Sequence, residues 1–261
     1  MATFTDDEIE RYARHLVLRE VGGPGQQALK AARVLVVGAG GLGAPAALYL
    51  AAAGIGTLGL ADADTVSLSN LQRQVLYATG DVGRPKTEAA AEQLSALNPN
   101  VTILAHPVML TPESAPALIR QYDLILDGTD NFEARFAVSD ACMVEAKTLV
   151  SGAIGRWTGQ VGVFAGEPCY RCLVAEPPPD AETCVAVGVI GALAGVIGAM
   201  MALEAIKVVT GAGESLIGRL LIYDALAGET RTVRIGADPD CPACGRTPLR
   251  SGEGGVREAG G

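Results

Sequence analysis

A glycine-rich turn between a predicted strand and a predicted helix constrains this chain more than any other feature. The β-branched run Arg33–Val37 is followed directly by Gly-Ala-Gly-Gly-Leu-Gly at residues 38–43, and an Ala- and Leu-rich segment then continues to about residue 53. Glycines permit a tight turn here, and the free N–H groups at the start of the next helix favour a phosphate. We interpret the motif as a nucleotide site, with an unliganded strand–helix turn as the alternative.

Apolar runs and helical patterns alternate along the first 155 residues. This alternation is typical of a doubly wound α/β fold, and it predicts a Rossmann-like, mainly parallel sheet. The predicted strands are 33–37, 57–62, 101–105, 123–127 and 148–151, and the predicted helices are 5–18, 86–97, 112–121 and 132–146.

The pattern changes after residue 155 and predicts a partly antiparallel C-terminal extension. A strand at 160–164, a proline-containing loop at 166–186 and two strands at 219–223 and 229–235 are expected. Gly22–Gly25 should break the chain near the N-terminus. The predicted segments are an N-terminal helical arm (1–30), a nucleotide-binding domain (31–155), a C-terminal part of the same globular unit with a metal site (156–245) and a disordered tail (246–261).

Composition narrows the class of partner. The 261 residues carry a net charge of −9 without a basic run, which argues against nucleic acid. Residues 1–10 are acidic, unlike a signal peptide, so we expect a cytoplasmic protein. Residues 185–203 lack charge but contain four glycines. We therefore predict a buried helix in the core or at a subunit interface, with no membrane span.

Polar residues beyond the glycine turn favour ATP over a dinucleotide. Asp62 ends the second predicted strand, where a ribose partner is expected. Arg73 and Lys86 follow, and two converging cations suit a triphosphate attacked at its α-phosphorus. Asp130, after the fourth strand, can hold Mg²⁺ against the phosphates. The alternatives are solvated surface positions for the two cations and a helix N-cap role for Asp130.

Four cysteines form two C-x-x-C pairs. Cys169 and Cys172 make the first pair, and Cys241 and Cys244 make the second. Four thiolates without an open position predict a structural zinc site, whereas two redox disulfides are the alternative.

The two remaining cysteines receive different predictions. Cys184 precedes the predicted buried helix, where a thiol is a better nucleophile, so it is either chemically active or a passive small residue. Cys142 lies among apolar neighbours on a predicted helix and is expected in the core.

Together these features resemble the MoeB/ThiF/HesA family of adenylyltransferases, bacterial relatives of ubiquitin-activating enzymes, with the greatest likeness to its MoeB branch. The resemblance covers about residues 6–245. The motifs that match in order and spacing are Arg11-Tyr12-Ala13-Arg14, the glycine turn, Ser67–Gln74, Lys86, Asp127–Asn131, Pro168–Cys172 and Cys241–Cys244.

The resemblance implies ATP activation of the C-terminal Gly-Gly carboxylate of a small ubiquitin-like, MoaD-like sulfur carrier, for molybdenum cofactor biosynthesis. It implies a homodimer in which Arg14 reaches the neighbouring site, with Arg73, Lys86 and Asp130 as the other catalytic residues. The implied ATP-binding residues are Gly41, Asp62, Ser69, Asn70, Leu71, Gln72, Arg73, Lys86, Asp130 and Asn131.

Two alternatives to this function stay open. One is activation of a ThiS-type carrier for thiamine, another thio-cofactor or tRNA thiolation. The other, more distant, is an NAD-dependent oxidoreductase built on the same glycine turn. The chain ends without a rhodanese-like domain, so we expect the sulfur donor to be a separate protein.

Overall fold

The structure, a computed structural model, describes residues 3–177 and 188–245. One sheet of eight strands runs through it in the order β3-β2-β1-β4-β5-β6-β7-β8. The strands are β1 Arg33–Val37, β2 Thr57–Ala61, β3 Thr102–His106, β4 Leu124–Asp127, β5 Thr148–Gly155, β6 Thr158–Phe164, β7 Arg219–Asp224 and β8 Glu229–Arg234.

The sheet has a parallel half and an antiparallel half. Strands β3, β2, β1, β4 and β5 are parallel, whereas β6, β7 and β8 pair antiparallel. Val37 at the end of β1 is in register with Ala61 on one side and Asp127 on the other. The loops after these three strands therefore open at one edge of the sheet, where ligands of doubly wound folds bind.

Helices cover both faces of the sheet and bury two apolar clusters. Helices α3, α4, α5 and α9 contribute to the first cluster, and α6, α7 and α8 contribute to the second. The predicted Rossmann-like class with an antiparallel extension is confirmed. The helices are α1 Asp6–Arg11, α2 Ala13–Leu16, α3 Gly22–Ala31, α4 Gly43–Ala53, α5 Lys86–Leu97, α6 Ala115–Ile119, α7 Phe132–Val144, α8 Tyr170–Leu173 and α9 Gly191–Thr210.

The N-terminal region differs from its prediction in two ways. The helix predicted over residues 5–18 is interrupted at Tyr12, whose buried hydroxyl accepts a hydrogen bond from Asn98. The break predicted at Gly22–Gly25 is wrong, because these residues form the first turn of α3. Proline is tolerated in a first turn, and a Cβ on Gly25 would lie 2.9 Å from Val21 Cγ1. Close packing therefore overrides glycine's low helix propensity here.

The C-terminal half refines two other predictions. The loop predicted over 166–186 contains the short helix α8, and residues 178–187 lie outside the described residues. The boundary proposed at residue 155 falls in the turn between β5 and β6, which are paired in one sheet. The tail predicted over 246–261 also lies outside the described residues.

Helix α9 is the apolar helix that the uncharged run predicted, although it begins at Gly191. Among the described residues it is the one helix long and apolar enough to cross a bilayer, with a mean hydropathy of 1.9. Its buried face packs on α4 and on strands β5 and β6. Small residues allow this close approach, since a Cβ on Gly198 would lie 2.4 Å from Pro45 Cγ.

Gly59 provides a test of this packing. A Cβ at Gly59 in β2 would lie 2.2 Å from the hydroxyl oxygen of Tyr122, a fully buried side chain that is also hydrogen-bonded to His106. Gly59→Ala should lower the free energy of unfolding by about 1–3 kcal/mol through overpacking. Denaturant unfolding measures this. Gly155→Ala in β5 is the matched control, because a Cβ there has no neighbour within 4 Å. Equal losses in both variants would contradict the packing argument.

Candidate nucleotide site and cysteine cluster

A cavity of about 380 Å³ opens at the carboxyl edge of the parallel strands. The glycine turn after β1 forms its floor, and Gly38 there adopts a left-handed φ of 84°. A Cβ at Gly43 would lie 1.8 Å from the Gly38 carbonyl oxygen, so only glycine permits this turn to close onto α4. The motif residues are thus required by backbone geometry.

Two hydrogen bonds from neighbouring segments hold the glycine turn. The Ala39 N–H donates to Asp62 Oδ2 over 2.8 Å, and the Tyr77 hydroxyl donates to the Ala39 carbonyl over 2.7 Å. Burial raises the pKa of Tyr77, and the carboxylates of Asp62 and Asp81 raise it further. The phenol therefore keeps its proton and remains a donor.

Lys86 brings a positive charge to the cavity from the start of α5. The side chain is buried, and its Nζ lies 2.8 Å from Asp64 Oδ2 and 3.8 Å from Asp62 Oδ2. A buried ammonium requires such partners. The two carboxylates keep Lys86 in place, and a phosphate at the glycine turn could replace the exposed Asp64 as its partner.

Arg73 brings a second positive charge across the glycine turn. A Cβ on Gly41 would lie 3.5 Å from Arg73 Cγ and Cδ, so the aliphatic stem of the arginine covers this glycine. The guanidinium Nη1 donates to the Ser69 carbonyl over 3.2 Å. The stem and this bond direct the guanidinium along the cavity wall.

The loop after β4 divides its polar residues between structure and cavity. The buried Asp127 carboxylate accepts hydrogen bonds from the Thr129 and Ser151 hydroxyls. Asn131 caps α7, since its side chain accepts from the Ala134 N–H over 2.8 Å. The alternative N-cap role of Asp130 is therefore wrong. Asp130 lines the cavity with an exposed side chain, as a cation ligand would.

The structure brings most, but not all, of the expected nucleotide residues together. Ser69, Asn70, Leu71 and Gln72 are not among the described residues that line the cavity. They belong to the turn around the 3-10 helix Leu68–Asn70, whose carbonyls hold Arg73 from behind. Those that line the cavity are Gly41, Asp62, Arg73, Lys86 and Asp130, together with Asn131.

Two buried polar side chains of the cavity, those of Arg135 and Gln74, were not among the predicted site residues. Arg135 on α7 is buried, and its Nη2 donates to the carbonyls of Thr129 and Gly152 over 2.5 and 2.7 Å. An arginine in a helical pattern is usually exposed to solvent, so the sequence around Arg135 does not indicate that this arginine is buried. Gln74 ends the matching motif Ser67–Gln74 but was not among the implied ATP-binding residues, and it is also buried at the cavity.

The structure does not bring Arg14 to the cavity. Arg14 is exposed on α2 and is not among the described residues that line the cavity. The neighbouring Val17 and Leu18 are 77% and 47% exposed, an apolar surface next to this arginine. Cys184 lies outside the described residues, whereas Cys142 is buried, as expected for a core residue.

The four predicted zinc ligands converge from two distant parts of the chain. Cys169 Sγ lies 3.6 Å from Cys241 Sγ, and Cys172 Sγ lies 3.3 Å from Cys244 Sγ. All four sulfurs lie within 4.8 Å of one another. A tetrahedral zinc with bonds of about 2.3 Å needs sulfurs about 3.8 Å apart, so the donor set fits this ion.

The protonation of the cluster also favours a cation. Burial raises the pKa of Cys169, and it raises that of Cys244 to about 11. Burial opposes ionisation of Cys241 as well, but backbone N–H groups of Cys244 and Ala243 lower its pKa to about 7. Thiols crowded in this way need a metal ion before all four can be thiolates.

The cluster is connected to the cavity wall. Tyr170 follows Cys169 directly and lines the cavity. The next residue, Arg171, makes two 2.7 Å hydrogen bonds to the Asp140 carboxylate and stacks over Phe136, with 4.2 Å from Cζ to the ring centroid. Both partners of Arg171 lie on α7, and α7 also contributes residues to the cavity. One helix therefore packs against both the cysteine cluster and the cavity.

Comparison with known proteins decides the family. The model of the ThiF family matches residues 12–243. This chain is a member of the ThiF family. The sulfur carrier protein adenylyltransferase of Thermus thermophilus is 49% identical over 256 residues, covering 95% of this chain and 94% of that protein. The adenylyltransferase/sulfurtransferase MoeZ of Mycobacterium tuberculosis is 48% identical over 244 residues, and this ThiF-family chain spans 62% of its length.

Solved structures of more distant relatives share the fold. MccB of E. coli, bound to MccA-N7isoASN, has a TM-score of 0.80 at 22% identity, covering 91% of this chain and 74% of MccB. PaaA has a TM-score of 0.78 at 25% identity, covering 90% of this chain and 76% of PaaA. At these identities the likeness concerns the architecture of this ThiF-family protein.

Metal analysis tests the cysteine cluster of this ThiF-family protein. Cys172→Ser should abolish stoichiometric zinc and lower the melting temperature, because three remaining thiols cannot close the tetrahedral site. Elemental analysis and thermal unfolding measure both effects. Cys142→Ser is the matched control, as Cys142 is buried away from the cluster and should leave the zinc content unchanged. Wild-type protein purified without zinc would contradict the assignment.

Proposed function

We propose that this protein is an ATP-dependent adenylyltransferase that activates the C-terminal Gly-Gly carboxylate of a small ubiquitin-like, MoaD-like sulfur carrier. The product is an acyl-adenylate for sulfur transfer in molybdenum cofactor biosynthesis. Family membership and the names of its relatives support this class of reaction. The single observation that carries the proposal is that Arg73, Lys86 and Asp130 line one cavity together with the glycine turn.

The proposed reaction is an in-line displacement at the α-phosphorus of ATP. A carboxylate oxygen of the carrier forms a bond to this phosphorus while the bond to the bridging oxygen breaks, and pyrophosphate leaves with the electron pair. No protein base is needed, because a carboxylate is already ionised at neutral pH. Catalysis then consists of positioning and of charge stabilisation by Arg73 and Lys86.

The remaining ligands follow from the same proposal. Asp62 would hold the ribose, and Asp130 would hold Mg²⁺, which would neutralise phosphate charge. The four cysteines would hold a structural zinc ion. Asn131 is occupied as a helix cap, so its contribution to nucleotide binding would come from the unused part of its amide.

We also propose a homodimer in which Arg14 of one copy completes the site of the other. An exposed arginine beside exposed Val17 and Leu18 supports a subunit contact at this surface. Arg14 would then add charge stabilisation during attack on phosphorus. A separate protein would supply the sulfur, and free cysteines among the described residues suit a cytoplasmic, reducing compartment.

The positive charge of Lys86 should be essential for the proposed reaction. Lys86→Ala should reduce carrier-dependent exchange of ATP with pyrophosphate by about 10²–10³-fold or more, because a buried cation is lost from the phosphate site. Exchange of labelled pyrophosphate measures this, tested against purified MoaD-like and ThiS-like carriers. Lys147→Ala, which is remote from the cavity, is the matched control and should be fully active. Full exchange activity in the Lys86 variant would refute the assignment of Lys86 to the phosphate site. A preference of the wild-type protein for a ThiS-like carrier would favour the alternative function over molybdenum cofactor biosynthesis.

Mixing two inactive variants tests the contribution of Arg14 from the second copy. Arg14→Ala and Lys86→Ala proteins should each be inactive alone, but their heterodimers contain one site with both residues intact. Random exchange of subunits in a two-fold dimer should therefore restore about a quarter of wild-type activity. The measurement is pyrophosphate exchange after the proteins are mixed and allowed to exchange subunits. A mixture that remains inactive after proven subunit exchange would contradict an action in trans.

A further inference from the structure

Three side chains of the segment 73–77 each lie against a different residue of the glycine turn. Tyr77 binds the Ala39 carbonyl, and the stem of Arg73 covers Gly41. Between them, Gln74 Nε2 lies 3.5 Å from the position that a Cβ on Gly40 would occupy. The Gln74 side chain is only 3% exposed and lines the cavity. This amide therefore lies beside the backbone on which a phosphate would rest.

The amide of Gln74 lacks hydrogen bonds within the described part of the chain. Its Oε1 is buried without a donor. No hydrogen bond joins its Nε2 to another described residue. An unsatisfied buried polar group is costly, and native proteins leave few of them. Gln26 shows the ordinary case, since its Nε2 donates to the Ala53 carbonyl and its Oε1 contacts His15 Nδ1. Because Nε2 is the end of the amide beside Gly40, this unused donor is available to an acceptor in the cavity.

We propose that Gln74 is a phosphate-binding residue that donates a hydrogen bond from Nε2 to a phosphoryl oxygen of the bound nucleotide. The inference rests on the proposed function for the identity of the nucleotide. Phosphoryl oxygens are acceptors, which matches the free donor end of the amide. Arg73 and Lys86 supply positive charge at the same turn, while the neutral amide adds a directed bond without further repulsion between cations.

A volume-conserving variant tests this role because it gives two effects of opposite sign. Gln74→Met should weaken ATP binding about 10- to 100-fold through loss of a bond to a charged group. Its affinity for adenosine, which lacks phosphate, should change less than about twofold. The same variant should match or exceed the wild type in melting temperature without nucleotide, since an unpaired buried amide is replaced by an apolar chain. Calorimetric titration and thermal unfolding measure these effects.

Gln26→Met is the matched control for a buried glutamine whose amide is fully bonded. It should lower the melting temperature and leave the affinities for ATP and adenosine unchanged. Gln74→Asn, which shortens the chain and withdraws the amide from Gly40, should reproduce the selective loss of ATP affinity should the methionine variant fail to fold.

Three results separate the possible failures. ATP binding by the Gln74 variants at wild-type strength would overturn the phosphate role. An equal loss of ATP and adenosine affinity would also overturn it, since the residue would then act on the whole cavity. A wild-type protein that binds no ATP would instead overturn the proposed function, and the inference with it.

Discussion

The fixed conformation of the glycine turn is the constraint on which the site depends. Asp62 binds the Ala39 N–H and Tyr77 binds the Ala39 carbonyl, so one residue of the turn is held from two sides. These contacts come from the residue directly after β2 and from the segment that carries Arg73, and they link the strand edge to the cationic side chains. A flexible turn of glycines would lose backbone entropy on binding phosphate, whereas this one has already lost it.

Electrostatic balance explains how such a site can exist before a nucleotide binds. The buried Lys86 ammonium is compensated by Asp62 and Asp64 in a chain whose net charge is −9. Asp64 is exposed and can be displaced, whereas Asp62 is anchored by Ala39. In the proposed function, an arriving triphosphate would replace one anionic partner of Lys86 with another. The lysine need not be left unpaired in either state.

The cysteine cluster supports the part of the cavity wall that Tyr170 forms. Tyr170 follows Cys169 in the chain and lines the cavity, and its hydroxyl has Arg135 as a hydrogen-bond partner. Arg171 fixes the same short helix to Asp140 on α7. A metal ion in the cluster would therefore act on the site indirectly, by holding α8 and this wall in place.

Sequence alone determined the Rossmann-like class, the glycine turn and the paired cysteines, because strand periodicity, glycine spacing and C-x-x-C spacing are local patterns. Tertiary structure decided which polar side chains face the cavity. It placed Asn131 rather than Asp130 as the helix cap, and it put the backbone of Ser69 behind Arg73. It also buried Gln74 and Arg135, whose residue types are usually exposed. These outcomes depend on contacts between segments distant in the chain, which no local pattern encodes.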